Sequence, residues 1–425
     1  MNLFNYINII ISLFMLLIVG CENENSLNND LSNANGLDKM NWSSRNHTLI
    51  NNLINDYGIG GKYYDTKKPP YVVLDWDQTC AFLDVEEAVM RYQLSNLKFK
   101  LSKSEFAELL KDEINGITHL SSNFKNIKLS DINDDLINDY NYIYDNFIGL
   151  NGNKSLSEIK QTPYYWDFIT KLSYLYDGYC GTSGIDANYG YPWVIELLAG
   201  NSISEIKSLA KEVISYELAN KLSKEEWSTP DNFDSKVGKI KYSFKTGLRV
   251  LPEMQNLIST FEKNGISVFI VSASFKPIVE SFSEAGNFGY NVPNDRVIAM
   301  ELETKHGILM PQYKQNWFKT QRYGKVEAIN KVIKNDLKKN WDPIFSAADS
   351  DGDYEMITMF PGMKLVLIWN RLKGGDIGKL CNQAVSEMES SNPKYILQGR
   401  NENLGIAIPF SETIPFGKSV MQLLP

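Results

Sequence analysis

Four apolar residues, Tyr71 to Leu74, run straight into two acids one residue apart, Asp75 and Asp77, in the stretch YVVLDWDQTCAF. A short apolar run of this kind reads as a strand buried on both faces. Delivering carboxylates from its carboxyl end constrains the fold more than any other feature of the chain. The pattern recurs. ISVFIVSAS is a β-branched run whose strand, residues 266–271, ends at Ser272 and Ser274; DPIFSAADSDGD is a strand over 343–348 that ends at Asp349, Asp351 and Asp353; MKLVLIWN is one more strand. Between these runs LPEMQNLISTFEKNG, closed by Gly265, and GKVEAINKVIKND read as amphipathic helices. Helices alternating with short buried strands predict an α/β chain with a doubly wound parallel sheet. Such sheets place their sites at the carboxyl ends of their strands.

The region from 83 to 244 has a different texture. SKSEFAELLKDEING carries Ser102 and Glu105 at capping-box spacing and a stop at Gly116, and SISEIKSLAKEVISYEL repeats the box with Ser202 and Glu205. Between them lies an aromatic-rich segment, TPYYWDFITKLSYLYDGYCGTSGIDANYGYPWVIELLAG. No strand-rich stretch stands out from about 83 to 240, so a mostly helical insertion follows the first strand. The expected division is therefore a core over 67–82 and 245–425, with a helical cap over 83–244.

The amino terminus is read apart from the fold. NIIISLFMLLIVGC is an apolar run of signal-peptide length, and small residues before a cysteine at its end resemble a bacterial lipoprotein signal. On that resemblance residues 1–20 are a signal peptide and Cys21 is the lipidated first residue of the mature chain. No Lys or Arg precedes the run, which leaves an uncleaved anchor helix as the alternative. Both readings attach the protein to a membrane and face it toward the periplasm or cell exterior. Residues 21–66, rich in Asn and Ser, read as a flexible tether, with folded material starting near Lys67. A net charge of −8 disfavours a nucleic-acid partner. Three dispersed histidines, His47, His119 and His306, exclude a histidine-rich zinc site. Pairing among Cys80, Cys180 and Cys381 is left open, as is the oligomeric state.

Up to five carboxylates gather where the strand ends meet. Such a cluster needs a cation, and oxygen-only donors select Mg²⁺. With that charge screened, a carboxylate can attack phosphorus. Other phosphoryl chemistries lack their parts: there is no Walker A run, and Cys80 is followed by AFLDVEE, not by a basic phosphate loop. DSDGD fails as an EF-hand, with Gly352 two positions early and Phe360 where the closing Glu should stand. Asp351 reads as a solvent-facing turn residue.

LDWDQT, VFIVSAS, GKVEAI and FSAADSDGDYEM together, in this order, resemble the four motifs of the haloacid-dehalogenase-like (HAD) phosphatases over residues 67–82 and 245–370. The resemblance implies a Rossmann-like core with Asp75 as nucleophile and Asp77 as general acid–base. It implies phosphate binding by Thr79, Ser272 and Lys325. It implies Mg²⁺ held by Asp75, the main-chain carbonyl of Asp77, Asp349 and Asp353. A finer resemblance, through the export signal, SAS and YGYPWVIELLAGNSISEI, is to bacterial phosphorylcholine phosphatases and related exported members. It implies a small phosphomonoester with a cationic leaving group, held by cap aromatics. Glu86, Tyr165, Trp166, Tyr191 and Trp193 are the candidates. The alternatives are phosphoserine or another small phosphomonoester, and a non-catalytic choline-binding surface lipoprotein.

Overall fold

The computed structural model describes residues 36–425. The expected signal peptide, Cys21 and the first part of the tether lie outside the described residues. Leu37–Pro425 forms one compact unit. The second part of the expected tether is folded, which corrects the sequence reading. Ser43 caps α1 (Ser44–Tyr57) by accepting from the Asn46 amide, and Ile50, Leu53 and Ile54 are buried on its inner face. Asn46 donates its side-chain amide to the Leu397 carbonyl at 2.6 Å. The many asparagines of this stretch masked an apolar stripe at helical spacing.

Six strands form one parallel sheet: β1 (Tyr71–Leu74), β2 (Ser267–Phe275), β3 (Val297–Met300), β4 (Phe345–Ala348), β5 (Leu365–Trp369) and β6 (Tyr395–Gln398), in the order 6-5-4-1-2-3. All five neighbouring pairs are parallel. The doubly wound α/β class expected from the sequence holds. The order reverses beside β1, and a crevice opens at the carboxyl ends there. Every residue of β1, β4 and β5 is buried, which is why these strands read as unbroken apolar runs. β3 and β6 were not foreseen; each has only four residues and follows a turn-rich segment.

Between β1 and β2 the chain is mostly helical. It contains α2 (Val85–Ser95), α3 (Lys103–Leu109), α4 (Leu129–Asn146), α5 (Pro163–Gly181), α6 (Ala187–Glu196) and α7 (Ile203–Ala219), and α8 (Pro252–Lys263) then leads into β2. The capping boxes at Ser102/Glu105 and Ser202/Glu205 are both formed. α3 nevertheless stops at Leu109, well short of Gly116. The indole of Trp193 donates to the Leu109 carbonyl at 2.9 Å, taking the acceptor that the next helical turn would need. The insertion also contains a hairpin, Ser223–Ser228 paired with Lys241–Thr246. Its first strand, SKEEWS, is polar and has no buried residue, so no alternation betrayed it. Cys80, Cys180 and Cys381 are free thiols. Among the described residues no helix is long and apolar enough to cross a membrane.

Candidate active site

The sheet's carboxyl edge brings the expected acids together. Asp75 follows β1 directly and its amide donates to Ala347 of β4 at 3.1 Å. β4 then delivers Asp349, and a short 3₁₀ turn delivers Asp353. Lys325, on α9 (Tyr323–Ala328), inserts its ammonium between two of them, 2.6 Å from Asp75 Oδ1 and 2.6 Å from Asp353 Oδ1. Asp349 is held from three sides: the Arg371 guanidinium donates to it, Thr79 donates its hydroxyl at 3.3 Å, and the Asp349 amide donates to Asp353 at 3.2 Å. All three acids are buried, and one carboxylate oxygen from each lies within 4.8 Å of the others.

This donor set fits a hard divalent cation. It is all oxygen, all carboxylate, and more negative than its protein cations offset. Burial and Asp353 push the Asp75 carboxyl well above the ordinary carboxylate range, against the pull of Lys325. Burial works against the Lys325 charge, but Asp353 and Asp75 outweigh it and hold the ammonium protonated. One lysine cannot neutralise two carboxylates, so a cation or a proton must supply the balance.

The chain reverses immediately after Asp75. The Trp76 carbonyl accepts the amides of Thr79 at 3.2 Å, Cys80 at 2.7 Å and Ala81 at 3.0 Å, and Gln78 takes a left-handed φ of 63°. This turn swings the Asp77 carboxylate away from the three-acid cluster. One of its oxygens accepts from the Val85 amide at 2.7 Å and the other from the Ser274 hydroxyl at 2.6 Å. Burial and then Asp84 push its carboxyl well up.

These groups form the floor of a cavity of about 760 Å³. Asp75, Asp77, Lys325, Asp349 and Asp353 line it from the core, and Tyr176, Asp177, Tyr191, Tyr242 and Phe244 from the insertion. The insertion side also carries Asp84 and Glu87, with two cations: Arg91, which pairs with Glu87 at 3.1 Å, and Lys245, which pairs with Glu402 at 2.9 Å. Burial, then Glu87, pushes the carboxyls of Asp84 and Asp177 up to about 7.

Several expected residues stand elsewhere. Ser272 is buried behind the wall, its hydroxyl accepting from the Ser274 amide at 3.1 Å; Ala273 and Ser274 are the residues that line the cavity. Thr79 is fully buried and supports Asp349 instead of facing the cavity. Glu86 and Tyr191 line the cavity, but the Glu86 carboxylate is engaged by the Phe275 amide. Tyr165, Trp166 and Trp193 are not on its wall. Tyr165 is buried and donates to the Ser95 carbonyl at 2.9 Å; Trp166 is 39% exposed and donates to the Lys160 carbonyl at 3.1 Å; Trp193 terminates α3. α5 is buried on most of its circumference, so its dense aromatics chiefly pack the insertion against itself. Asp351 does not face solvent as a free turn: its carboxylate accepts from the Ile377 amide at 2.7 Å and caps α10 (Gly375–Ser386).

Arg371 was missed. It stands two residues beyond β5, so the rule that strand ends carry the chemistry reaches it once that strand's end is included. Lys373, just beyond, also lines the cavity. Tyr176 belongs to the aromatic-rich segment but was not among the candidates drawn from it, and the insertion's Asp177, Tyr242 and Phe244 left no comparable mark in the sequence.

No family model matches the sequence, and no curated protein matches it. Among solved structures the chain is similar to a conserved protein of unknown function from Anaerococcus prevotii. The two share 31% identity at a TM-score of 0.78, over 91% of this chain and 99% of that one. It is far more loosely similar to a phosphoserine phosphohydrolase-like protein from Francisella tularensis, with 10% identity and a TM-score of 0.32 over 71% of this chain and 87% of that one. A substrate-bound phosphoserine phosphatase stands at 12% identity and a TM-score of 0.31, over 71% of this chain and 85% of that one. Likenesses at such TM-scores carry no argument about chemistry.

Proposed function

We propose, for a chain that belongs to the same family as the Anaerococcus prevotii protein of unknown function, that it hydrolyses a small phosphomonoester with the chemistry its HAD-like motifs imply. One observation carries the reading: three buried aspartates with oxygens within 4.8 Å of one another, Lys325 bridging Asp75 and Asp353, at the floor of a cavity large enough for a small organic phosphate. Bound at Asp75, Asp349 and Asp353, Mg²⁺ would supply charge neutralisation and substrate orientation. Asp75 attacks phosphorus and forms an aspartyl-phosphate. Lys325 holds phosphoryl oxygens as their charge redistributes. Asp77, fixed by the Val85 amide and the Ser274 hydroxyl, gives its proton to the leaving oxygen and later takes one from the attacking water.

The insertion wall supports a cationic leaving group such as choline. Tyr176, Tyr191 and Tyr242 stand on it, and Asp84, Glu87 and Asp177 outnumber Arg91 and Lys245. A second reading, a leaving group that also bears a carboxylate as in phosphoserine, is favoured by Lys373. It lines the same cavity and makes no hydrogen bond or ion pair among the described residues. Phosphate release from phosphocholine, phosphoserine and a neutral aryl phosphate separates the readings. Turnover in Mg²⁺ and its loss in chelator are expected; silence on all three substrates would leave a non-catalytic binding protein. The membrane attachment through Cys21 is part of the proposal and is tested by detergent-phase partitioning of the full chain against Cys21→Ala, with equal partitioning of the two ruling out lipidation.

A further inference from the structure

A fully buried arginine far along the chain is spent on the turn that carries Asp77. Arg400 follows β6 and is 1% exposed. Its guanidinium donates to the Gln78 carbonyl at 3.2 Å and to the Gln78 side-chain oxygen at 2.9 Å, and it lies 4.8 Å from the centre of the Phe82 ring. Gln78 is the residue with the left-handed φ, and it stands directly between Asp77 and Thr79. A non-glycine residue in that region needs outside support to stay there. The fork of a guanidinium supplies it at two points of one residue, which an ammonium cannot do.

The charge that does this is balanced away from the turn. Glu402 accepts from Arg400 at 2.9 Å and from Lys245 at 2.9 Å. Lys245 belongs to the second strand of the insertion's hairpin and lines the cavity. A continuous chain of contacts therefore runs from the cavity's insertion wall, through Lys245, Glu402 and Arg400, to Gln78. The alternative role, holding the last segment of the chain onto the core, does not require contacts to Gln78: Thr413 already donates to the Asn370 carbonyl and accepts from the Arg400 amide at 3.1 Å, tying that segment down by itself.

We propose that Arg400 is a positioning residue for the reaction, fixing the turn at Gln78 and through it the direction of the Asp77 carboxylate, with Glu402 and Lys245 linking that turn to the insertion. The inference rests on the phosphatase reading above, and two measurements keep them apart. The first is hydrogen exchange on the whole protein, which needs no turnover. In Arg400→Lys, which keeps the charge beside Glu402 and loses the fork, amides of residues 76–84 should exchange about tenfold faster while those of β4, β5 and α5 stay as in wild type. Arg400→Met should show the same local change, larger. The second is steady-state phosphate release from an aryl phosphate. In Arg400→Lys kcat should fall about tenfold with KM within about twofold, and the pH limb assigned to the general acid should move, because the defect lies in the placement of Asp77 and not in substrate binding. Should Arg400→Met fail to fold, Arg400→Lys alone decides. Unchanged exchange over 76–84, or exchange raised equally everywhere, overturns the positioning role whether or not the wild type releases phosphate. A wild type silent on phosphate release, with the local exchange change present, overturns the phosphatase reading and leaves Arg400 as the support of that turn.

Discussion

Two buried lysines in this molecule sit in nearly the same surroundings. Lys325 lies 2.6 Å from both Asp75 and Asp353; Lys171 lies 2.8 Å from Asp135 and 2.6 Å from Asp167. The exposure of the lysine side chain is 2% in the first and none in the second. Yet Lys325 opens onto the cavity, while Lys171 is enclosed by α4, α5 and the segment before the hairpin's second strand. There it also donates to Ser235 at 2.8 Å, and Asp135 accepts the amides of Lys236 at 2.8 Å and Val237 at 2.9 Å. The Lys171 cluster ties two helices to a loop. A buried lysine between aspartates is thus no evidence of catalysis in itself. What separates the two is access, and the convergence of three carboxylate oxygens within 4.8 Å of one another, which among the described residues only Asp75, Asp349 and Asp353 achieve.

That contrast can be broken by substitution. Asp75→Asn should remove about a thousandfold or more of kcat, since an amide is a poor nucleophile. Thermal unfolding should change little, because Asp75 and Asp353 share one lysine and Lys325 keeps Asp353 as its partner. If the variant keeps wild-type turnover, the strand-end cluster is no more catalytic than its twin. Lys171→Met should do the reverse. Leaving Asp135 and Asp167 buried without their cation should cost about 3–5 kcal/mol in denaturant unfolding. kcat per folded molecule should hold, and a loss of kcat in a well-folded variant would show that the closed cluster also serves the reaction.

Smaller effects sharpen the cavity's outline. Tyr176→Ala should lower kcat/KM for phosphocholine about three- to thirtyfold, the range expected of one cation–π face, and leave a neutral aryl phosphate unaffected. Trp166→Ala, off the wall, should leave both substrates within about twofold. Equal losses on the two substrates in Tyr176→Ala would make that ring a packing element.

A further effect concerns pH. Both oxygens of Asp139 and one of Asp167 are buried without a partner, as two facing carboxyls must be unless a proton lies between them. Burial, then Asp167, pushes Asp139 up to about 9. Unfolded, an aspartate titrates at about 3.9. The folded state therefore binds this proton more tightly, so its contribution to stability is full below about pH 4 and is lost as pH rises through about 9. Asp139→Asn should flatten the stability profile across that window, with its largest relative gain at the alkaline end. A melting profile parallel to wild type from pH 5 to 9 would contradict the shared proton.

The sequence made the core legible and the insertion largely opaque, for physical reasons. β1, β4 and β5 are buried on both faces and end in polar residues, so Asp75, Asp349 and Asp353 stood out as acids at the ends of apolar runs. Lys325 was legible only through the resemblance of GKVEAI to a HAD motif, since a lysine on an amphipathic helix is by itself an ordinary solvated residue. Ser272 was misplaced because two serines flank Ala273, and only the path of β2 decides which faces the cavity. In the insertion no such rule operates. α5 buries most of its surface, so aromatic density reports packing, and Trp166 and Trp193 were chosen for ring size. Tyr176 and Asp177 face the cavity because of how α5 lies against the hairpin, a tertiary fact with no local signature. Arg400 is the extreme case: its partner Gln78 lies at the other end of the folded chain.

The central claim is that Asp75 becomes covalently phosphorylated in turnover. Acid quench of the full chain during hydrolysis of an aryl phosphate, followed by peptide mass spectrometry, tests it. The account predicts a phosphoryl adduct on Asp75, absent in Asp75→Asn and lost on addition of chelator before substrate. An adduct on any other residue, or none in an enzyme that is turning over, would contradict it.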